Sequence, residues 1–231
     1  MPDLVRINKF VAMHSNIGRR QADMFIEQGR VLVNGQKATL GTQINPANDV
    51  ILVDGKPLAN SNKTSYLYVL LNKPVGYVCS RRQQDGSPTI YSLLPEKYHH
   101  LKPVGRLDKD SSGLLLLTND GEAAHHLMHP SFIKQKQYEV TLDKPLEASH
   151  RELIDHQGVV LPDGPSRLRL ERLADGRRWL VTMHEGRNRQ IRRTFLALGY
   201  TVVKLNRTQF GSMSIQQLNN QLFVEVAKPN I

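Results

Sequence analysis

The sequence predicts an α+β protein in two parts, a small unit over residues 1–60 and a larger, sheet-rich unit over 61–231. Three observations carry this. Apolar residues near the start recur at helical spacing, short alternating runs follow, and a polar stretch at 59–65 separates them from a series of strand-like segments with few helical ones. At 231 residues the chain is long enough for one sizeable core and an appended module, because domains commonly run to about 100–200 residues.

Ile7, Phe10 and Val11 fall on one face of a first helix, and Ala22, Phe25 and Ile26 repeat the pattern before Gly29 supplies a stop. Val31-Leu32-Val33 then runs into Asn34-Gly35, and Val50-Ile51-Leu52-Val53 runs into Asp54-Gly55, two hairpin signals. The segment 59–65 is polar and poor in apolar anchors, as a linker is. Beyond it, residues 66–72, 113–118, 137–142, 177–183, 201–205 and 222–227 read as strands, and 123–128 and 189–198 as helices.

Lys and Arg number 31 against 21 Asp and Glu, a net charge of +10, which attracts polyanions before any specific contact forms. Nucleic acid is therefore the expected partner. No apolar run reaches membrane-spanning length, and no strongly apolar helix face is flanked by Lys and Arg, so no membrane partner is expected. The first nine residues carry Asp3 and Arg6 among their apolar positions and do not read as a signal peptide, which makes the cytoplasm the expected compartment.

Cys79 is the single cysteine and reads as a small core residue; no internal disulfide can form. His125 and His129 stand at i and i+4, but no acidic residue lies between them and no third ligand is evident, so no metal is expected. The sequence also lacks a Walker-type loop, a dinucleotide fingerprint and a Gly-x-Ser-x-Gly elbow.

Arg19 and Arg20 open the second helix, and Arg6, Lys9, Arg30 and Lys37 add charge to the same short module. Such density suits phosphate contacts, although a solvated basic face would carry the same charge. The succession of Arg6 to Phe10, Gly18 to Ala22, Ile26, Gly29, Val33-Asn34-Gly35 and Asp49-Val50-Ile51 resembles the RNA-binding domain named after small-subunit ribosomal protein S4. Gly18 stands where many relatives carry Ser; Gly is a weaker N-cap by only a few tenths of a kcal/mol.

In the larger part, the run Gly105-Arg106-Leu107-Asp108-Lys109-Asp110-Ser111-Ser112-Gly113 leads directly into four leucines. A carboxylate on a glycine-bounded loop at a sheet rim is supported yet exposed, as catalytic groups are. On spacing alone, Asp108, Asp110 and Ser111 read more readily as turn residues bonding nearby N–H groups. A second run, Glu185 to Arg193, sets Arg189, Arg192 and Arg193 on one helix face and Ile191, Phe195 and Leu198 on another. Such an arginine could hold a carboxylate ionised or simply be solvated. Tyr138, in a strand-like run, reads by itself as packing.

Together with Leu71-Asn72-Lys73-Pro74-Val75-Gly76 and Lys136-Gln137-Tyr138, these two runs resemble the bacterial ribosomal-RNA pseudouridine synthases that carry an S4-type N-terminal domain. The resemblance implies a small S4-like RNA-binding domain followed by a synthase domain with a mixed, mostly antiparallel sheet. It implies Asp108 as the nucleophile that opens the uridine glycosidic bond, Tyr138 against the target base, Arg192 paired with Asp108, and Ile191 as an apolar floor. Arg106 inherits a role in filling the base stack. Arg189, with Arg6, Lys9, Arg19 and Arg20, joins the expected RNA contacts.

Moving uracil from its nitrogen to its carbon linkage involves no redox change and no hydrolysis, so no cofactor is expected. The expected substrate is ribosomal RNA or a ribosomal precursor particle, met by a monomer. Residues 127–131 and 185–190 look closer to the enzymes of the large-subunit (23S) RNA than to the small-subunit (16S) one. A non-catalytic RNA-binding factor in ribosome assembly is the alternative from another class.

Overall fold

The computed structural model describes residues 4–15, 17–58, 65–129 and 134–230. The chain divides into two compact units, Met1–Ser65 and Tyr66–Ile231, so the division follows residue 65 where the sequence placed it after 60. The expected linker, apart from Ser65, lies outside the described residues.

In the first unit, β1 (Val5–Arg6) leads into α1 (Ile7–His14) and α2 (Arg19–Glu27), followed by β2 (Val31–Val33), β3 (Gln36–Lys37), β4 (Gln43–Ile44), β5 (Ile51–Val53) and β6 (Lys56–Pro57). Both hairpin signals give turns: Asn34 and Gly35 have φ of 52° and 83°, and Asp54 and Gly55 have φ of 52° and 74°. Two consecutive positive φ values match the twist of the flanking strands. The core is built from Ile7, Phe10, Val11, Ala22, Ile26, Val31 and Ile51 with their neighbours. Phe25 is only partly buried, and the Arg30 guanidinium covers its ring at 3.7 Å.

The second unit contains β7 (Tyr68–Lys73), β8 (Lys102–Val104), β9 (Ser112–Thr118), α3 (Gly121–Met128), β10 (Lys136–Leu142), α4 (Ala148–Glu152), β11 (Val159–Leu161), β12 (Gly164–Ser166), β13 (Arg169–Ala174), β14 (Arg178–Met183), α5 (Gln190–Ala197), β15 (Val202–Phe210), β16 (Met213–Ser214) and β17 (Phe223–Val226). Among the described residues, the sheet runs β13-β14-β10-β15-β9-β7-β17, with β8 on β9 and β16 on β15. Its pairs are antiparallel except β9 with β15.

The four leucines of β9 are buried on both faces of this sheet: Leu115 and Leu117 in a large core, Leu114 and Leu116 in a smaller one capped by Ala123 and Leu127 of α3. The exceptional parallel pair depends on Gly113. Its φ is +106°, and a Cβ there would fall 2.3 Å from the carbonyl oxygen of Arg207 on β15. Only glycine lets the two strands meet at that point.

Candidate active site

The loop from Gly105 to Ser111 joins β8 to β9, and buried groups tie its backbone down from behind. Lys73, at the end of β7, is 0% exposed; its Nζ donates to the carbonyls of Asp108 (3.0 Å), Ser111 (2.6 Å) and Pro74 (3.0 Å). Burial holds its pKa below the usual lysine value, with nearby acidic groups opposing. The Gly76 N–H donates to Lys109 O, and the Cys79 thiol donates to Leu107 O. The Asn-Lys-Pro-Val-Gly run thus acts on the loop's backbone.

The side chain of Asp108, pinned at its own carbonyl, is 36% exposed. Arg189 approaches it from the start of α5: one Nη lies 3.5 Å from Asp108 Oδ2, while both Nη atoms donate to the Asp110 carboxylate at 2.9 and 2.8 Å. Arg189 has a left-handed φ of 47° at the helix N-cap, which turns it away from the row that the following arginines form. Those bonds hold the Asp110 carboxyl below the usual range, against the opposing effect of burial.

Here the expected pairing needs correction. Arg192 is occupied elsewhere: it donates to Val202 O and to Asp110 O, both at 2.7 Å, and its Nε lies 3.3 Å from Asp110 Oδ2. It sits one helical turn beyond Arg189 and reaches the loop at Asp110, so Arg189 is the arginine beside Asp108. Arg193 points to a different carboxylate, Asp163, at 2.7 Å.

Asp108, Arg189, Tyr138, Ile191, Arg106 and Arg207 line one cleft of about 1300 Å³. Tyr138 on β10 and Ile191 on α5 are buried in its wall, whereas Arg106 is exposed at its edge. Arg192 is not among the lining residues. Lys136, two residues before Tyr138, reaches the carbonyls of His184 and Glu185 and so ties β10 to the loop carrying Arg189. Burial, with Arg207 nearby, lowers its pKa.

Reading the sequence alone missed three contributors. Asp110 clamps Arg189 and Arg192. Asp163 holds Arg187, which also donates to the carbonyls of Gly164 and Pro165, so the β11–β12 hairpin braces the 185–190 loop. Arg207 is 2% exposed in the cleft wall; it lies two residues beyond the strand-like run 201–205 and carried no signal of its own.

In the first unit, Arg6, Arg19 and Arg20 are exposed and Lys9 is partly buried. Arg19 and Arg20 occupy the first turn of α2, which has no acidic residue and no side-chain cap. Helix N-termini disfavour cations and attract phosphates.

Both units are similar to known proteins. The family described as RNA pseudouridylate synthase matches residues 67–197, and the S4 domain matches residues 5–51. An uncharacterized RNA pseudouridine synthase of Aquifex aeolicus is 37% identical over 222 residues, covering 93% of this chain and 87% of that protein. The dual-specificity RNA pseudouridine synthase RluF of Escherichia coli K12 is 34% identical over 216 residues, covering 93% of this chain and 73% of that protein. A crystal structure of a pseudouridylate synthase superposes with a TM-score of 0.68 at 34% identity, covering 96% of both chains. With a loop-borne aspartate facing a cleft, a matching synthase domain and an S4 domain before it, the chain belongs to the RNA pseudouridylate synthase family, isomerases that act on RNA.

Proposed function

We propose that this protein converts a specific uridine of ribosomal RNA to pseudouridine, in the large-subunit RNA, with Asp108 as nucleophile. The observation that carries the reading is the meeting of Asp108 with Arg189 in a cleft walled by Tyr138 and Ile191. The preference for the large subunit rests on the residue runs 127–131 and 185–190; Pro130 and Ser131 lie outside the described residues.

The target nucleotide leaves its stack at a cost of a few kcal/mol, part of which stacking on an aromatic ring returns. Tyr138 supplies that ring and Ile191 an apolar floor, while Arg106 takes the space left in the stack. Asp108 then acts at the sugar, bonding to C1′ or removing a proton from C2′, and the base departs, turns and rejoins through C5. Arg192 is a positioning residue that acts through Asp110. Arg6, Lys9, Arg19 and Arg20 grip phosphates of the same RNA. The protein works as a cytoplasmic monomer on ribosomal RNA or a precursor particle.

The test is to map pseudouridines by carbodiimide labelling and primer extension in ribosomal RNA from cells with and without the gene, and with Asp108→Asn. One stop disappears without the gene and stays absent with Asp108→Asn. An unchanged map, or full activity of Asp108→Asn, overturns the proposal.

A further inference from the structure

Arg207 lies outside the 67–197 match and has no role in the mechanism above. Its guanidinium is nearly inaccessible, at 2% exposure, and forms part of the cleft wall. Nε donates to Leu114 O at 2.8 Å, whereas Nη2 is buried without a hydrogen-bond partner. No hydrogen bond or ion pair among the described residues joins it to a carboxylate. The Phe210 ring, 5.1 Å from the guanidinium, offsets part of that charge, but a buried cation with no carboxylate beside it is still costly in the resting protein, which is how a site looks when its charge is matched to a later state of the reaction.

The position says which state. Arg207 stands opposite Tyr138 on the neighbouring antiparallel strand and opposite Gly113 on the parallel one. Directly opposed residues share a sheet face, so Arg207 lies beside the ring proposed to meet the base, at the strand that leaves the Asp108 loop. The cleft's exposed arginines, such as Arg106, Arg167 and Arg189, stand where the charged RNA backbone approaches. The buried one stands where the base goes.

We infer that Arg207 receives a carbonyl oxygen of the detached uracil and serves as counter-charge to the uracil anion. The inference rests on the reading of Asp108 as the group acting at the sugar. When the C1′–N1 bond breaks, its electron pair leaves with N1 and the negative charge spreads to the two carbonyl oxygens. The sugar is balanced by a bond from the Asp108 carboxylate to C1′, or by transfer of the C2′ proton to that carboxylate. The anion then bonds to C1′ through C5, the sugar releases Asp108 or regains its proton, and C5 loses its hydrogen as a proton. The charge beside Arg207 exists only between these two bond changes, so Arg207 contributes to rate more than to RNA affinity.

The experiment combines single-turnover conversion of ribosomal RNA by the wild-type protein, Arg207→Lys and Arg207→Gln with equilibrium binding of two free bases. 5-Nitrouracil is an anion at neutral pH and thymine is neutral. The rate should fall by about 10²- to 10³-fold in Arg207→Gln and by less in Arg207→Lys, the size typical for losing one preorganised donor. RNA affinity and its salt dependence should change little. Wild-type protein should prefer 5-nitrouracil by about tenfold, and Arg207→Gln should lose that preference, roughly one bidentate-quality contact.

Unchanged turnover in a folded variant overturns the inference, as does a wild-type protein that binds the two bases equally. A salt slope reduced by about one unit would assign Arg207 to a phosphate and overturn it too. The free-base comparison on wild-type protein stands even where Arg207→Gln does not fold. A wild-type protein that makes no pseudouridine yet prefers the anion defeats the proposed function and leaves this contact standing.

Discussion

Asp110 holds Arg189 by two hydrogen bonds, at 2.9 and 2.8 Å, and thereby sets one Arg189 nitrogen 3.5 Å from the Asp108 carboxylate. Asp110 therefore fixes the cation that stands beside Asp108. Asp110→Asn should lower the conversion rate by about 10- to 100-fold, since a misplacement near 1 Å can cost 10²-fold, with little change in RNA affinity. Single-turnover rates set beside binding constants check this; equal losses in both would show Asp110 acting on binding instead.

The same clamp carries a pH signature. The Arg189 bonds hold Asp110 below the ordinary carboxylate range. A depressed folded pKa means a stabilisation present above the unfolded value, near 3.9, and lost as pH falls through the lower folded one. Because Asp110 is 45% exposed, solvent screening keeps its share small. Acid unfolding curves of wild-type protein and Asp110→Asn should separate modestly above about pH 4 and converge as pH falls through the depressed Asp110 value. A gap that widens on acidification would contradict the assignment.

Lys73 should be far more sensitive than a surface lysine. Lys73→Met removes three hydrogen bonds from one buried nitrogen and leaves loop carbonyls without them. An unsatisfied buried group costs about 1–3 kcal/mol, so a loss of about 3–5 kcal/mol is expected for the unit beginning at Tyr66. Urea unfolding followed through Trp179, the single tryptophan, reads that unit. A midpoint within error of wild type would show that the loop stands without this lysine.

How much of this was legible in the sequence depended on the range of the forces involved. Helices α1, α2 and α5 and the leucine strand β9 follow from local periodicity, and Asn34-Gly35 and Asp54-Gly55 announced their turns. β11, β12 and β13 escaped notice because Val159 to Ala174 mixes Pro165 and several charges with its apolar residues. Those strands are held by cross-chain contacts such as Asp163 with Arg187 and Arg193. Asp108, Tyr138, Arg189 and Ile191 were named from the sequence, but Asp110, Asp163 and Arg207 were not, nor was which arginine met which aspartate. Arg189 and Arg192 differ by one helical turn, and the left-handed backbone at Arg189 decides the pairing.

Gly113→Ala tests the strand crossing that places Arg207 behind the Asp108 loop. The added Cβ would lie 2.3 Å from Arg207 O and 2.5 Å from Arg207 N, both backbone atoms that cannot swing aside, and φ is +106°. Overpacking and backbone strain each cost about 1–3 kcal/mol, so destabilisation of about 3–5 kcal/mol is expected, with turnover falling in whatever protein folds. Gly18→Ala, where nothing lies within 4 Å, is the matched control and should stay within about 1 kcal/mol. Similar melting temperatures for both variants would show that the β9–β15 crossing can open at little cost.

Arg19 and Arg20 bear on how the S4 domain holds RNA. Both are exposed in the first turn of α2, where the helix dipole and the missing cap leave N–H groups and two cations facing outward. For the protein alone that placement is slightly unfavourable, so Arg19→Gln and Arg20→Gln should leave stability unchanged or raise it by a few tenths of a kcal/mol. RNA affinity should nevertheless fall. Each lost phosphate contact should reduce the slope of log K against log[salt] by about 0.7 to 0.9, similarly for target and unrelated RNA. The double variant should lose about twice that slope while keeping its single-turnover rate on saturating RNA. An unaltered slope would place these arginines outside the RNA contact, and a slower saturated rate would mean that they act on the chemistry as well as on the grip.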